Sequence, residues 1–239
     1  MVVWFSKEMT CPICRTRLCG REVGGGFASG QDSDLFVRMK GKHIIQAEVH
    51  TCQDCRFSGF TNDFAINSTP YLGDRFRAEV LPQLTGAPSS QITSTPLPDI
   101  QYYWAFKSAQ FLKRPSSNLG HRLVRAYWCL RLAPSSYLPA EDLQQRRDKY
   151  LKGAIHHMRQ SLRGNRNPHV YYLLGELNRR LSDFEMARMY FKKFLTRNTT
   201  ASYLRVAAKK LIAVSDDHDS REHTMEEILY DHKTLGSDE

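Results

Sequence analysis

The chain carries the tetrapeptide Cys11-Pro12-Ile13-Cys14 and, after 37 intervening residues, a second one of the same form, Cys52-Gln53-Asp54-Cys55. A C-x-x-C tetrapeptide can form a tight turn that points both sulfurs at one ion, and two such turns supply four thiolates in a tetrahedron. Four thiolates favour zinc or iron–sulfur chemistry over hard cations. The pattern therefore predicts one shared Zn²⁺ on Cys11, Cys14, Cys52 and Cys55. With all four positions filled by protein, such a zinc ion activates no water.

Two other interpretations of the cysteine pairs stay open. Each pair could be a redox dithiol, although such pairs usually accompany a βαβ pattern, which the sequence does not show. The pairs could also be unrelated turns with buried thiols. Cys19 is expected to be a free, partly buried thiol that could replace a ligand, and Cys129 a core residue of a helix. His50 is expected on a strand face, with a role beside the metal as the alternative.

The composition is that of a soluble globular protein with one or two domains. Apolar residues make up 41% and charged residues 25% of the 239 positions, and no stretch reaches the apolar length of a membrane span. The first residues show no charged n-region and no long apolar run, so we expect no signal peptide and a cytoplasmic location. In that compartment thiols stay reduced, which favours metal binding over disulfides.

The first segment, residues 1–64, is rich in cysteine, glycine and strand-forming residues. Partial alternation over His43–His50 predicts a strand that leads into Cys52, and the glycines 24–26 predict a flexible loop. We therefore predict a small zinc-ribbon-like β module here. Residues 65–98 form a connecting segment with a short helix near 74–81, followed by a linker at 85–98 rich in proline, serine and threonine.

Helical periodicity runs through residues 99–214. Asp99 is a plausible N-cap for the first helix, Pro168 a favourable start for the fourth, and Ser182 or Asp183 a cap for the fifth. We predict helix ends at Gly164-Asn165, near Arg197 and near Val214. Residues 215–239 form an acidic tail with one short helix at 224–230. The fold class is therefore α+β, a small β module followed by an all-α domain.

Residues 168–199 match the tetratricopeptide pattern, in which two antiparallel helices cross closely. Small residues stand where the helices cross, at Gly175 and Ala187, and larger ones fill the seam: Tyr171, Leu174, Phe191 and Phe194. Asn178 and Thr199 depart from the pattern. Because one repeat cannot bury its own faces, neighbouring helices must stack on it, and we predict a tetratricopeptide-like helical domain.

Charge is distributed unevenly along the chain. Residues 1–64 carry a formal charge of +1, residues 65–214 carry +15 and residues 215–239 carry −7. Basic residues decorate the third helix, and further pairs stand at Arg179-Arg180, Lys192-Lys193 and Lys209-Lys210. These pairs are scattered over several helices, which favours solvated faces over a nucleic-acid surface.

Motifs of common enzyme classes are absent from the sequence, including the P-loop, the nucleophile elbow, H-E-x-x-H and G-x-G-x-x-G. Asp32 and Asp34 do not complete a calcium loop and predict a polar turn. His156 and His157 are adjacent and cannot face one another on a helix. We therefore expect no enzyme, with an unrecognised catalytic pocket as the alternative.

Several motifs together resemble a bacterial family catalogued as domain of unknown function 2225. The resemblance rests on the two C-x-x-C pairs, on Gly30–Leu35, on Phe57-Ser58-Gly59-Phe60 and on Trp128-Cys129, and it covers roughly residues 5–200. Arg15 follows the first pair, where glycine is typical of zinc ribbons. The resemblance implies a zinc-ribbon-like head with tetratricopeptide-like helices, and no established activity.

The predicted function is that of a non-enzymatic adaptor or scaffold, because stacked helix pairs form grooves that bind peptides or helices. Its partner would be a protein or peptide in the helical groove. The alternative is a nucleic-acid-binding protein that uses the basic helical body with the zinc module. A helical domain that packs only within its own chain remains the third possibility.

Overall fold

The computed structural model describes residues 3–40, 43–66, 69–84, 97–134, 137–163, 167–197 and 202–230. Its described part is α+β, with a strand-rich N-terminal region and a helical body. The strands pair antiparallel as three two-stranded sheets, β1 with β2, β3 with β4 and β5 with β6. Their bounds are Val3–Thr10 (β1), Arg17–Gly25 (β2), Ala28–Gln31 (β3), Val37–Met39 (β4), His50–Thr51 (β5) and Ser58–Gly59 (β6).

The helices follow the predicted periodicity closely. They are Pro70–Glu79 (α1), Pro98–Phe111 (α2), Ser116–Arg131 (α3), Ala140–Ser161 (α4), Pro168–Arg180 (α5), Phe184–Leu195 (α6), Ser202–Asp216 (α7) and Met225–Tyr230 (α8). The helix start at Pro168 is confirmed, and the Asn167 side chain accepts a hydrogen bond from the His169 amide. Of the two caps predicted for α6, Asp183 is confirmed, since it accepts from the Met186 amide.

Three local predictions were wrong: the strand over His43–His50, the loop at the glycines 24–26 and the N-cap at Asp99. The run His43–His50 is mostly a 3-10 turn at Ile44–Ala47, followed by the short strand β5. Its buried apolar residues Ile45 and Val49 are four apart, a helical spacing that outweighs the partial alternation. Gly24 and Gly25 lie in β2 and not in a loop, with the Phe5 ring against Gly24.

Asp99 lies inside the first turn of α2, whose N-cap is Leu97. Its buried carboxylate instead accepts hydrogen bonds from Tyr137, Arg146 and Tyr150. The predicted helix end at Gly164-Asn165, Thr199 and most of the predicted linker at 85–98 lie outside the described residues.

By compactness the chain forms two units, and each recruits residues from two parts of the sequence. Unit 1 comprises Met1–Phe27 and Lys40–Ala154, and unit 2 comprises Ala28–Met39 and Ile155–Glu239. The four segments predicted from the sequence (1–64, 65–98, 99–214 and 215–239) rest on composition and periodicity, whereas these units group residues by contact. The predicted segments therefore stay a prediction.

Strands, turns and helices of unit 1 all contribute to a buried cluster around the cysteine turns. Phe57 and Phe76 are fully buried, with ring centroids 5.7 Å apart, and they join the cysteine turns to α1 and α2. Asp63 joins the 3-10 turn Thr61–Asp63 to α3, because its carboxylate accepts from Arg122 at 2.6 Å and from Arg114 at 3.1 Å. These contacts position the cysteine turns against the helices.

Unit 2 is built on the helices α5 to α8 and on the β3–β4 hairpin. Helices α5 and α6 approach closely at Gly175, where an added Cβ atom would lie 2.7 Å from Phe191. Ala187, Phe191 and Phe194 are fully buried at this seam. The predicted antiparallel helix pair is therefore present, while its assignment to the tetratricopeptide class stays a prediction. None of the described helices is both long enough and apolar enough to cross a bilayer.

Candidate metal centre

Each C-x-x-C tetrapeptide forms the turn of a β-hairpin. The first lies between β1 and β2, and the second between β5 and β6. In the first turn the Cys11 amide donates to the Thr16 carbonyl and the Arg15 amide to the Cys11 carbonyl, both at 2.9 Å. The second turn repeats these bonds from Cys52 to Phe57 and from Arg56 to Cys52, again at 2.9 Å. The two turns therefore share one backbone design.

The residue after each second cysteine has a left-handed backbone. Arg15 has φ of 64° and Arg56 has φ of 61°. Glycine adopts this conformation without the clash that a Cβ atom brings. Arginine nevertheless adopts this conformation at both positions. The absence of glycine at Arg15 therefore leaves the first turn intact, and Arg56 occupies the equivalent position in the second turn.

The four sulfurs converge as the sequence predicts. All ligand atoms of Cys11, Cys14, Cys52 and Cys55 lie within 4.8 Å of one another. The pairs Cys11–Cys55 and Cys14–Cys52 each have Sγ atoms 3.4 Å apart. This separation is far longer than a disulfide bond of about 2.05 Å.

The donor set fits a tetrahedral, thiolate-preferring cation. Zinc–sulfur bonds of about 2.3 Å place the sulfurs of a tetrahedron about 3.8 Å apart, so a small outward relaxation of the two close pairs would accommodate Zn²⁺. Four protein ligands fill the coordination sphere of such an ion. The arrangement is therefore that of a structural site, with no position for a water nucleophile.

Hydrogen bonds between the sulfurs shift the pKa values of three of the thiols, Cys11, Cys52 and Cys55, in different directions. Hydrogen bonds from Cys11 and then Cys55 lower the pKa of Cys52. The hydrogen bond to Cys52 raises the pKa of Cys11, and the hydrogen bond to Cys11 raises that of Cys55, with burial acting in the same direction. Without a cation Cys52 is therefore the preferred thiolate of these three, and metal binding must displace the protons of Cys11 and Cys55.

A polar contact links the two turns beside the sulfurs. The Thr16 hydroxyl bonds to the Asp54 carboxylate of the other turn. The Cys14 sulfur lies 3.3 Å from the same hydroxyl. Thr16 therefore orients one sulfur while it holds the turns in register, as outer groups do around metal ligands.

The cysteine cluster belongs to the core of unit 1 and is not a free-standing head. Cys11 and Cys52 are fully buried, Cys55 is nearly so, and Cys14 is half-buried. The same cluster of buried residues includes Phe76 and Val80 near α1 and Trp104 of α2. A cation on the four sulfurs would therefore join both hairpins to the first two helices.

The other candidates near the site have different roles. Cys129 is buried in α3, as expected of a core residue, and burial raises the pKa of its thiol. Cys19 is exposed on β2, so it is less buried than predicted. His50 is buried on β5, and its Nε2 lies 3.2 Å from the Thr61 hydroxyl. The sequence assignment of His50 to a strand is thus correct, although that strand is short.

Sequence reasoning missed a buried ion cluster in unit 2. Glu176 is fully buried and accepts from Arg179 at 2.7 Å and from Arg180 at 3.1 Å. The Ser33 hydroxyl donates to the same carboxylate at 2.5 Å. Arg179-Arg180 is therefore no solvated basic pair. One sequence signal was available. Glu176 precedes Arg179 and Arg180 by three and four residues, a spacing at which side chains meet on a helix, and this helix has no polar face on which they would be solvated.

The predicted polar turn at Asp32–Asp34 is present, but it is buried. Asp32, Ser33 and Asp34 are each at most 1% exposed, and the Ser33 amide donates to the His223 carbonyl. Arg179 also donates to the carbonyls of Asp219 and Arg221. The β3–β4 hairpin and the segment before α8 therefore both cover α5, which is buried from Val170 to Arg180.

The comparisons with known proteins identify a family and no characterised relative. A family model described as an uncharacterized protein conserved in bacteria, DUF2225, matches residues 4–214. No curated protein matches the chain. No solved structure matches it either.

Proposed function

Because the chain belongs to the DUF2225 family of uncharacterized bacterial proteins, we propose its function from the site itself, as a zinc-stabilised, non-enzymatic adaptor or scaffold. The observation that carries the zinc assignment is the convergence of four sulfurs from two matched hairpin turns within 4.8 Å. Cysteine-only coordination selects zinc or an iron–sulfur centre. The filled coordination sphere supports a structural role for the ion and a protein without metal-dependent catalysis.

Metal analysis of the purified chain tests the zinc assignment. We expect one equivalent of zinc per chain in a colourless protein, whereas an iron–sulfur centre would absorb visible light. Cys52→Ser should lose the metal. Cys19→Ser, a change at the exposed cysteine of β2, is the matched control and should retain one equivalent. Wild-type protein without stoichiometric zinc would refute the proposal.

The adaptor part of the proposal rests on exposed side chains of α7. Helix α5 is buried from Val170 to Arg180, so it offers no exposed side chain to a partner over that range. On α7, however, Tyr203 and Val206 are 44% and 45% exposed and lie one helical turn apart. Lys209 follows at the same spacing and is also exposed. We therefore place the partner surface there and expect an acidic peptide or protein segment with an apolar anchor.

Two valine variants distinguish loss of binding at the α7 surface from a general effect of added negative charge. Val206→Glu should abolish capture of the acidic partner. Val37→Glu changes a residue of the same unit with nearly the same exposure, 43%, and should leave capture unchanged. Equal capture by both variants and the wild-type protein would argue against a partner on α7.

The alternative function, nucleic-acid binding, is supported by the +15 charge of residues 65–214. Lys192 and Lys193 on α6 are exposed and could meet phosphates. Arg122, Arg179 and Arg180, in contrast, are buried in ion pairs. Retention on DNA or RNA that persists at physiological salt and falls steeply above it would favour this alternative over the adaptor.

A further inference from the structure

Strand β1 has one long edge that no described element covers. The strand is eight residues long and pairs with β2 from Val3 to Thr10. Among the described residues, β2 is the only element with which β1 shares extensive contacts. The outer edge therefore presents backbone N–H and C=O groups over about 27 Å, a ready template for another strand.

Most of this hairpin lies outside the core. Val3 and Phe5 are 50% and 57% exposed, and Lys7 and Glu8 on opposite faces are exposed as well. Only towards Met9, which is 8% exposed, does the strand join the buried cluster. A two-stranded arm of this kind is marginally stable alone and gains stability from a third strand.

Within the described part of the chain, the side chains of β1 leave its outer edge open. The Phe5 ring lies over Gly24 of β2, and the Lys7 ammonium lies 2.9 Å from Glu22 of β2. Both side chains therefore lie over one face of the hairpin, and neither crosses the edge backbone of β1. Their positions leave the backbone of β1 accessible to an incoming strand.

We propose that this edge binds β1 of a second copy of the chain, which forms a four-stranded antiparallel sheet in the order β2-β1-β1-β2. Two identical antiparallel edges are related by a two-fold axis perpendicular to the sheet. Residues that face one another across the axis consequently lie on the same face of the sheet. Two residues that face one another therefore have sequence numbers that are both odd or both even, because side chains alternate between the faces along a strand.

The charges of β1 and the length of the overlap together select the register of this pairing. Centres at Lys7 or Glu8 would bring identical charges together, which is destabilising. A centre at Ser6 instead places Phe5 opposite Lys7 of the second copy, twice, so that each ring faces the aliphatic stem of a lysine whose ammonium stays with Glu22 of its own β2. Residues 3–9 then overlap without opposed like charges. The edge is therefore complementary to itself.

The length of the contact sets the strength of the dimer. One pair of strand edges buries less surface than the ~1,200–2,000 Å² of a standard stable interface. The dimer should therefore be reversible and depend on protein concentration. Sedimentation velocity over a concentration series of the zinc-loaded full chain measures the monomer–dimer equilibrium directly.

Phe5→Lys is the diagnostic variant, because it sets a new ammonium group against Lys7 of the second copy on both sides of the axis. We expect it to weaken dimerisation at least tenfold. Phe27→Lys is the matched control, since Phe27 is an exposed aromatic residue of unit 1 outside β1, and it should leave the dimer unchanged. Circular dichroism and zinc content verify that both variants are folded.

A cross-link tests the register separately. In a Cys19→Ser background, Ser6→Cys should give a disulfide-linked dimer on mild oxidation, because the two positions face one another at the axis. Thr10→Cys lies on the same face but away from the axis and should not. A wild-type chain that is monomeric at every concentration would overturn the proposal, as would equal dissociation by Phe5→Lys and Phe27→Lys. Addition of a strand from a different protein to a monomer would also overturn it.

Discussion

At the scale of single residues, the backbone of the cysteine turns carries a measurable strain. Arg15 is exposed and has φ of 64°, a conformation that costs a residue with a Cβ atom about 1 kcal/mol relative to glycine. Arg15→Gly should therefore stabilise the zinc-loaded protein by up to about 1 kcal/mol, as measured by denaturant unfolding. Arg17→Gly, in strand β2, should destabilise it, because glycine there loses entropy without relieving strain. Destabilisation by both changes would contradict the assignment of strain to Arg15.

Glu176 provides a second prediction at this scale. Burial opposes its ionisation, but the charges and hydrogen bonds of Arg179 and Arg180 outweigh burial and lower its pKa to about 2. A depressed folded-state pKa stabilises the protein above the unfolded-state pKa, near 4.5, and this contribution is lost as the pH falls towards 2. Glu176→Gln should therefore cost about 3–5 kcal/mol at neutral pH, because it leaves buried arginines without their counter-charge.

The measurement for Glu176→Gln is the difference in unfolding free energy from the wild-type protein at pH values between 7 and 3. That difference should shrink as the pH falls below about 4.5, and protonation of the cysteine site affects both proteins equally. Glu227→Gln, at an exposed position of α8, should change stability by less than about 0.5 kcal/mol. A difference that does not vary with pH would rule out the ionised state of Glu176.

Individual residues also show where sequence reasoning succeeds. The cysteine pairs were predictable because the spacing within each turn is local and the chemistry of four thiolates is specific. The spacing of Glu176 from Arg179 and Arg180 was also a local signal, but its contact with Ser33 was not predictable, since Ser33 lies 143 residues away in the sequence. No periodicity within α5 identifies a partner at that distance.

At the scale of secondary-structure elements, the close approach of α5 and α6 depends on one missing side chain. A Cβ atom at Gly175 would lie 2.7 Å from Phe191, so Gly175→Ala should destabilise unit 2 by about 1–3 kcal/mol. Thermal unfolding measures this loss. Gly30→Ala, where an added Cβ atom meets nothing within 4 Å, is the control and should have a much smaller effect.

A compensating change sharpens the prediction for the helix pair. Phe191→Leu removes ring atoms from the position that the new methyl group needs. The double variant Gly175→Ala/Phe191→Leu should therefore be more stable than the sum of the single effects implies. Strict additivity would indicate that the two residues do not share the contact.

The helices were predicted better than the strands for a physical reason. Helical periodicity is a property of one continuous segment, so α2 to α7 could be located from their own residues. The strands here are short, and hydrogen bonds to a partner strand define them. The run His43–His50 shows the consequence. Its apolar residues were compatible with a strand or with a helical turn, and tertiary packing favours the 3-10 turn.

At the scale of the whole molecule, the metal site should control the stability of one unit more than the other. The cysteine cluster shares its core with α1 and α2 of unit 1. Removal of zinc by a chelator should therefore accelerate amide hydrogen exchange in both cysteine turns, in α1 and in α2. The helices α5 to α7 of unit 2 serve as the internal control and should change little. Uniform acceleration along the chain would contradict this division.

The division into units was the feature least accessible from the sequence. Composition suggests that residues 1–64 act together, but the hairpin Ala28–Met39 belongs to unit 2 while its flanking residues belong to unit 1. Its buried residues are Asp32, Ser33 and Asp34, whose polarity predicts solvent exposure. Only their contacts with α5 and with the segment before α8 explain their burial.

The split origin of unit 2 has a consequence for synthesis of the protein on the ribosome. The β3–β4 hairpin leaves the ribosome early, yet Glu176 is made 143 residues after Ser33. At ordinary rates of translation this delay is on the order of ten seconds, long enough for the cysteine turns to bind the proposed zinc ion first. During that time the nascent hairpin is exposed to solvent. Its aspartates and serine are polar, so the hairpin can stay exposed without aggregating until α5 has been synthesised.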